Sequence, residues 1–158
     1  TLITRRIDKP SDVFIVVNKI CKKRYGKHFD YLYLRRKAEA HFNNYECDVS
    51  IFKLYEYMGK INPYFGLHKS EILNIELQVE ANFIMPCYKM VEIYKNMLIN
   101  DKTLFLITDM YLPKGFITGI LSAYGIDCYK GLYISADEGM NKISNELFSK
   151  TFYVFYFF

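Results

Sequence analysis

The stretch Leu104-Phe-Leu-Ile-Thr-Asp-Met-Tyr-Leu-Pro113 decides how this chain is read. Its first four residues form a short continuous apolar run, the pattern of a β-strand buried on both faces. Pro113 suits the first turn of a helix with Phe116, Ile117, Ile120, Leu121 and Tyr124 inward, closed by Gly125. Leu132-Tyr-Ile134 then reads as a second strand, and Asn141 to Ser149 as a further helix. Strand, helix, strand, helix is the order of a parallel α/β sheet.

Upstream of Asn100 the apolar period is helical. Ser11 is an N-cap candidate for a helix with Val13, Phe14, Val17, Ile20 and Cys21 on one face and Gly26 as its stop. A second helix starts near Asp30, carries Tyr31, Leu34, Ala38 and His41 or Phe42, and ends at Asn43-Asn44. Ser50 caps a third with Ile51, Leu54, Tyr55 and Met58, which Gly59 should stop. Asn62-Pro63 and Gly66 read as a loop, and Ser70 as the start of a fourth helix with Ile72, Ile75, Val79 and Phe83 inward. Pro86 breaks that pattern and opens a fifth with Met90, Val91, Tyr94 and Leu98. The expected division is a helical block over 11–98, with 1–10 and 99–158 forming part of an α/β core.

With 158 residues and 51% apolar content the chain can bury a sizeable core, which excludes disorder over most of its length. No apolar run approaches the roughly 20 residues needed to span a bilayer, and no signal peptide opens the sequence. A membrane span is not expected, and a cytoplasmic location is. The four cysteines, Cys21, Cys47, Cys87 and Cys128, have no C-x-x-C spacing and read as buried free thiols. Six of the seven residues Phe152 to Phe158 are aromatic, which suggests a third buried strand and a sequence cut off at its most apolar point.

The net charge of +4 is unevenly placed. From Lys19 to Lys37 eight basic residues face one acid, Asp30. Such a patch suits nucleic acid, an anionic surface or a phosphorylated substrate. It lacks any recognised docking motif and alternates with apolar positions, so it reads as a solvated helix face and no nucleic-acid partner is expected. His28, His41 and His68 share no metal-ligand spacing.

Ligands of parallel α/β sheets bind beyond the carboxyl ends of the strands. Thr108 and Asp109 follow the first strand, Ser135 and Asp137 the second, and Lys142 opens the next helix. Hydroxyls, a helix N-terminus and an ammonium converging there make a phosphate site, although the same residue types are ordinary caps after strands.

These residues resemble a known family. Leu104 to Pro113 is similar to the second motif of the haloacid dehalogenase (HAD)-like hydrolases, closest to a bacterial branch associated with glycosyltransferases of surface-polysaccharide synthesis, which reads I-S-D-M-Y-L-P there. The branch continues with a helix, a Gly, a strand ending in Ser, a Lys and a Leu-Phe pair. Gly125, Leu132-Tyr-Ile-Ser135, Lys142 and Leu147-Phe148 stand in that order. Its helical cap carries R-x-x-A-E, matched by Arg35 or Arg36 with Ala38-Glu39, and spaced glutamates, resembled by Glu76 and Glu80. The family's first motif, F-D-I-F-D-T-L followed by Arg, is matched only in its tail by Thr1-Leu-Ile-Thr-Arg5.

The resemblance implies a partial Rossmann-like HAD core, a parallel sheet with an inserted all-helical cap. It implies a phosphohydrolase working through an aspartyl intermediate, with Mg²⁺ as cofactor and a phosphorylated small molecule or sugar phosphate as substrate. Thr108 would hydrogen-bond a phosphoryl oxygen, and Lys142 would neutralise charge on the phosphoryl group and nucleophile. Asp109 would accept N–H groups of its turn, and Glu39, Glu76 and Glu80 would pair with cap cations. The nucleophilic Asp would stand four residues before Thr1, and the final acidic motif is absent before Phe158, so the chain as written is expected to be inactive and to lack its Mg²⁺ ligands. The alternative is a non-catalytic module that docks a glycosyltransferase partner or fused domain.

Overall fold

The computed structural model describes residues 1–43, 49–140 and 146–150. The elements run β1 (Ile3–Arg5), α1 (Asp12–Tyr25), α2 (Tyr31–Phe42), α3 (Ile51–Ile61), α4 (Pro63–Phe83), β2 (Ile84–Pro86), α5 (Tyr88–Ile99), β3 (Phe105–Thr108), α6 (Lys114–Ala123), β4 (Gly131–Ile134) and the single turn α7 (Ser135–Glu138). Residues 146–150 are helical. The chain is mixed α/β and mostly helical, with one small parallel two-stranded sheet. It divides into two compact units, Thr4–Asn44 with Ile51–Met85, and Thr1–Ile3, Tyr45–Ser50 and Pro86–Phe158.

The first unit holds α1 to α4. Helix α1 carries Asp12 in its first turn and Lys22, Lys23 and Arg24 in its last, the arrangement that offsets the helix dipole. It ends at Gly26, whose φ of 67° lies in the region glycine alone enters freely. The Asp30 carboxylate accepts the Tyr33 N–H at 3.0 Å and caps α2. Val13, Phe14, Val17 and Cys21 of α1 are buried as their spacing predicts, while Ile20 is 38% exposed.

The expected loop at 62–69 is corrected. Helix α3 continues past Gly59 to Ile61, and α4 begins at Pro63 rather than Ser70. Asn62 is an N-cap whose side chain accepts the Phe65 N–H at 2.8 Å, and Pro63 occupies the first helical position, where its missing N–H costs nothing. Gly59 and Gly66 lie inside their helices for a packing reason. A Cβ on Gly66 would stand 3.3 Å from the Gly59 carbonyl oxygen, so α3 and α4 meet backbone to backbone there.

The short strands β1 and β2 pair with each other. The flanking bonds, Arg6 N–H to Phe83 O at 2.9 Å and Cys87 N–H to Leu2 O at 2.8 Å, have the crossed numbering of antiparallel strands. Strand β2 and the division at Met85–Pro86 both fall inside the 11–98 span read as helical, and α5 groups with the later residues.

In the second unit β3 and β4 are parallel, with Phe105 opposite Gly131, Leu106 opposite Leu132, Ile107 opposite Tyr133 and Thr108 opposite Ile134. Lys130 N–H donates to Leu104 O at 2.8 Å and extends the ladder by one rung. A Cβ on Gly131 would lie 2.8 Å from Tyr133 Cε2, so the absent side chain makes room for the Tyr133 ring beside Phe105. The expectation that 104–107 is buried on both faces is corrected. All four residues of β3 are half-buried, because the only strand paired with β3 among the described residues is β4. The reading of four buried thiols also changes: Cys21 is buried, Cys87 half-buried and Cys128 exposed. Cys47, the third strand read at 152–158 and the first half of the helix read at 141–149 lie outside the described residues.

The glycine contact yields a direct test. Gly66→Val should lower unfolding free energy by about 1–3 kcal/mol, the usual cost of forcing atoms into a packed contact. A lower urea midpoint at unchanged slope would register it.

Candidate functional site

The parallel register brings the carboxyl ends of β3 and β4 side by side. Thr108 is the last residue of β3 rather than the first beyond it, and its partner Ile134 closes β4. Asp109 and Ser135 follow these two positions, so the structure gathers Thr108, Asp109 and Ser135 at one sheet edge, with Asp137 in α7. Lys142 lies outside the described residues.

Their environments differ. Thr108 is half-buried, and Asp109 and Asp137 are exposed. Ser135 is completely buried, and its Oγ has no hydrogen-bond partner among the described residues. Buried hydroxyls are normally paired, and leaving one unpaired costs about 1–3 kcal/mol. The segment after β3 is anchored by Leu112, 1% exposed, which leads into α6. The approach to β4 is fixed by Tyr94 of α5, whose hydroxyl accepts the Cys128 N–H at 2.8 Å.

A groove of about 450 Å³ runs along β3, lined mainly by Leu106, Ile117, Leu121, Leu132 and Phe148, with Thr108 as one of its polar members. Its chemistry is therefore apolar along the strand and hydroxylic at the carboxyl end. Among the described residues no three His, Cys, Asp or Glu side chains cluster closely enough to hold a metal ion.

Two of the three glutamates named from the sequence, Glu76 and Glu80, occupy the core of the four-helix unit, while Glu39 is half-buried. Glu76 is fully buried and its carboxylate accepts the hydroxyls of Tyr31 and Tyr55, each at 2.5 Å. Arg35, also fully buried, sets Nε 3.7 Å from Glu76 and Nη1 3.0 Å from Glu39, with its guanidinium 4.4 Å above the Phe14 ring. Of the two arginines the motif allowed, Arg35 is the inward one and Arg36 is exposed. Glu80, fully buried, takes a bidentate pair from Arg5 at 2.8 and 3.1 Å.

Tyr31 and Tyr55 were not singled out from the sequence. Their spacing marks them only as core positions, and the signal that they also serve a carboxylate was the presence of Glu76 on an otherwise apolar face. Burial, then the nearby charge of Glu76, pushes both phenols well above the ordinary tyrosine range. The same two causes push the Cys21 thiol up to about 12.

The histidines take part in ring contacts. His41 stacks on Tyr57 at 4.1 Å and His28 on Tyr64 at 4.3 Å, while His68 lies beside Tyr25, Tyr64 and Glu71. Neither the known protein-family models nor the curated proteins give a match to this sequence.

Two outcomes follow from the buried network. Glu76→Leu should cost about 3–5 kcal/mol in urea unfolding, because it leaves the Arg35 charge in the core without its deepest partner. For Cys21, Tyr31 and Tyr55 the folded state holds the proton more tightly than the unfolded chain. Their contribution is therefore complete below about pH 9 and lost as pH rises beyond it. The urea midpoint should be flat up to that pH and fall above it, less steeply in Tyr55→Phe.

Proposed function

We propose that the chain is a phosphoryl-binding part of a HAD-like phosphohydrolase, with β3, α6 and β4 belonging to a Rossmann-like core and the four-helix unit serving as its cap. The observation that carries this reading is the parallel register that ends with Thr108 opposite Ile134. It gathers hydroxyl and carboxylate groups at the sheet edge where α/β proteins bind ligands. The buried Ser135 Oγ, which has no hydrogen-bond partner among the described residues, adds a polar group at that edge. The order of Thr108, Asp109, Pro113, Gly125, Ser135 and Lys142 is the sequence support for the family.

In this reading the Thr108 hydroxyl donates to a phosphoryl oxygen and the Lys142 ammonium offsets the phosphoryl charge. The ligand is a phosphorylated small molecule or sugar phosphate. Complete HAD-like enzymes hold Mg²⁺ on carboxylates, and there it draws charge from the phosphoryl oxygens. The described residues of this chain do not assemble such a set, so no step is derived through the metal.

A second reading, a non-catalytic module docking a glycosyltransferase, has one observation in its favour. Helix α5 turns Tyr88, Ile93, Met97 and Ile99 to solvent, at 72%, 46%, 44% and 78% exposure. Charging that face with Ile93→Glu and Met97→Glu would abolish docking and leave oxyanion binding intact.

Titration calorimetry with tungstate or phosphate on the 158-residue chain tests the first reading. Weak binding is expected, reduced about tenfold or more in Lys142→Ala, the range of a charge-assisted hydrogen bond, and less in Thr108→Val. Absence of oxyanion binding would overturn the phosphoryl site.

A further inference from the structure

We propose that the outer face of α1 and α2 is a binding surface for single-stranded nucleic acid, with Tyr33 as a stacking platform and Lys19, Lys23, Lys27, Arg36 and Lys37 as its phosphate contacts. The inference concerns the four-helix unit alone and is independent of the phosphoryl site.

The structure sorts the basic run of residues 19–37 into two groups. Lys22 pairs with Asp30, Arg24 with Glu71, and Arg35 with Glu39 and Glu76. These three are neutralised by the fold. The other five, Lys19, Lys23, Lys27, Arg36 and Lys37, are exposed, and none has a carboxylate within ion-pair distance among the described residues. The one acid of the run, Asp30, is already engaged by Lys22 and by the Tyr33 N–H, which hold its carboxyl below the ordinary range. The face therefore has a net positive field with no internal counter-charge, and its complement is a polyanion.

Charge alone does not choose the polyanion; the rings do. On α2 the inward positions are Tyr31, Leu34, Arg35 and Ala38, which puts Tyr33 on the opposite side. Tyr33 is 59% exposed, so it contributes little to the core. Tyr33 lines an open groove of about 550 Å³ together with Asp30, Leu32, Arg36 and Lys37. The Lys37 ammonium sits 5.6 Å from the Tyr33 ring centre and 3.4 Å from its hydroxyl, so ring and cation already share one site. Next to Lys27 in the chain, the exposed His28 ring lies flat on Tyr64 at 4.3 Å and presents a second planar surface.

Exposed rings interleaved with unpaired cations are what a flexible strand of bases and phosphates requires. Each base stacks on a ring, and the following phosphate meets an ammonium or guanidinium. An acidic peptide would use the cations and leave the rings idle. A duplex hides its base faces and could not use Tyr33.

The test is fluorescence anisotropy of the full chain with a labelled oligothymidylate of about 15 nucleotides, near the upper end of single-module site sizes. Binding is expected at about 50 mM salt and should weaken about a hundredfold by about 200 mM, as release of counterions from about five phosphates requires. Tyr33→Leu, a change at an exposed position that leaves all charges in place, should weaken the oligonucleotide about tenfold while poly-glutamate binding stays the same. Arg36→Gln with Lys37→Gln should flatten the log–log salt slope by about 1.4. Circular dichroism confirms that both variants are folded. The proposal is overturned by no binding at the lower salt, by an unchanged affinity in Tyr33→Leu, or by a duplex or poly-glutamate that binds as tightly as the single strand.

Discussion

The charge of Glu76, buried among four helices, sets the terms for everything around it. An isolated carboxylate at full burial would be prohibitively costly, so the unit is arranged to surround it with donors. Tyr31 from α2 and Tyr55 from α3 supply hydroxyls, and Arg35 supplies the opposite charge while leaning on Phe14 of α1. Each of the four helices thus contributes to one polar centre, and their relative rotation is constrained by it. An apolar core of the same size would tolerate many rotations; this one tolerates few. Glu80, four residues further along α4, repeats the device with Arg5.

The sequence made most of the elements legible because their signals are local. Asp30 as a cap, Gly26 and Gly125 as stops, and the apolar run after Leu104 each depend on neighbours within one turn. The reading failed where a local signal had two meanings. Asn62-Pro63 is equally a turn and a helix start, and only the packing of α3 against α4 selects the second. Gly59 and Gly66 punctuate a sequence but here permit a close helix crossing. The half-exposure of β3 could not be read either, because an apolar run states what a strand could bury and not what lies beside it.

The candidate site was legible as a sheet edge and less so as chemistry. Thr108, Asp109 and Ser135 gather because parallel strands in register end together, which follows from the order of elements. That the Ser135 hydroxyl is buried with no partner among the described residues had no counterpart in the sequence, since a serine after a strand reads as an ordinary cap. For the basic run only a count of charges was legible. Which cations are spent on carboxylates and which face water is decided by partners such as Glu71 and Glu76, forty or more residues away.

The two paired arrangements also differ in when they become available to a growing chain. Strand β3 meets β4 across a single crossover from Phe105 to Gly131, so both strands leave the ribosome within seconds of each other at about 5–20 residues per second. Arg5 and Glu80, which pair bidentately, are 75 positions apart in the chain. Until Glu80 is made, the helices before α4 share a core that still lacks its last side. The four-helix unit is therefore closed by its last helix, and its cooperativity is a property of the finished segment rather than of any earlier part.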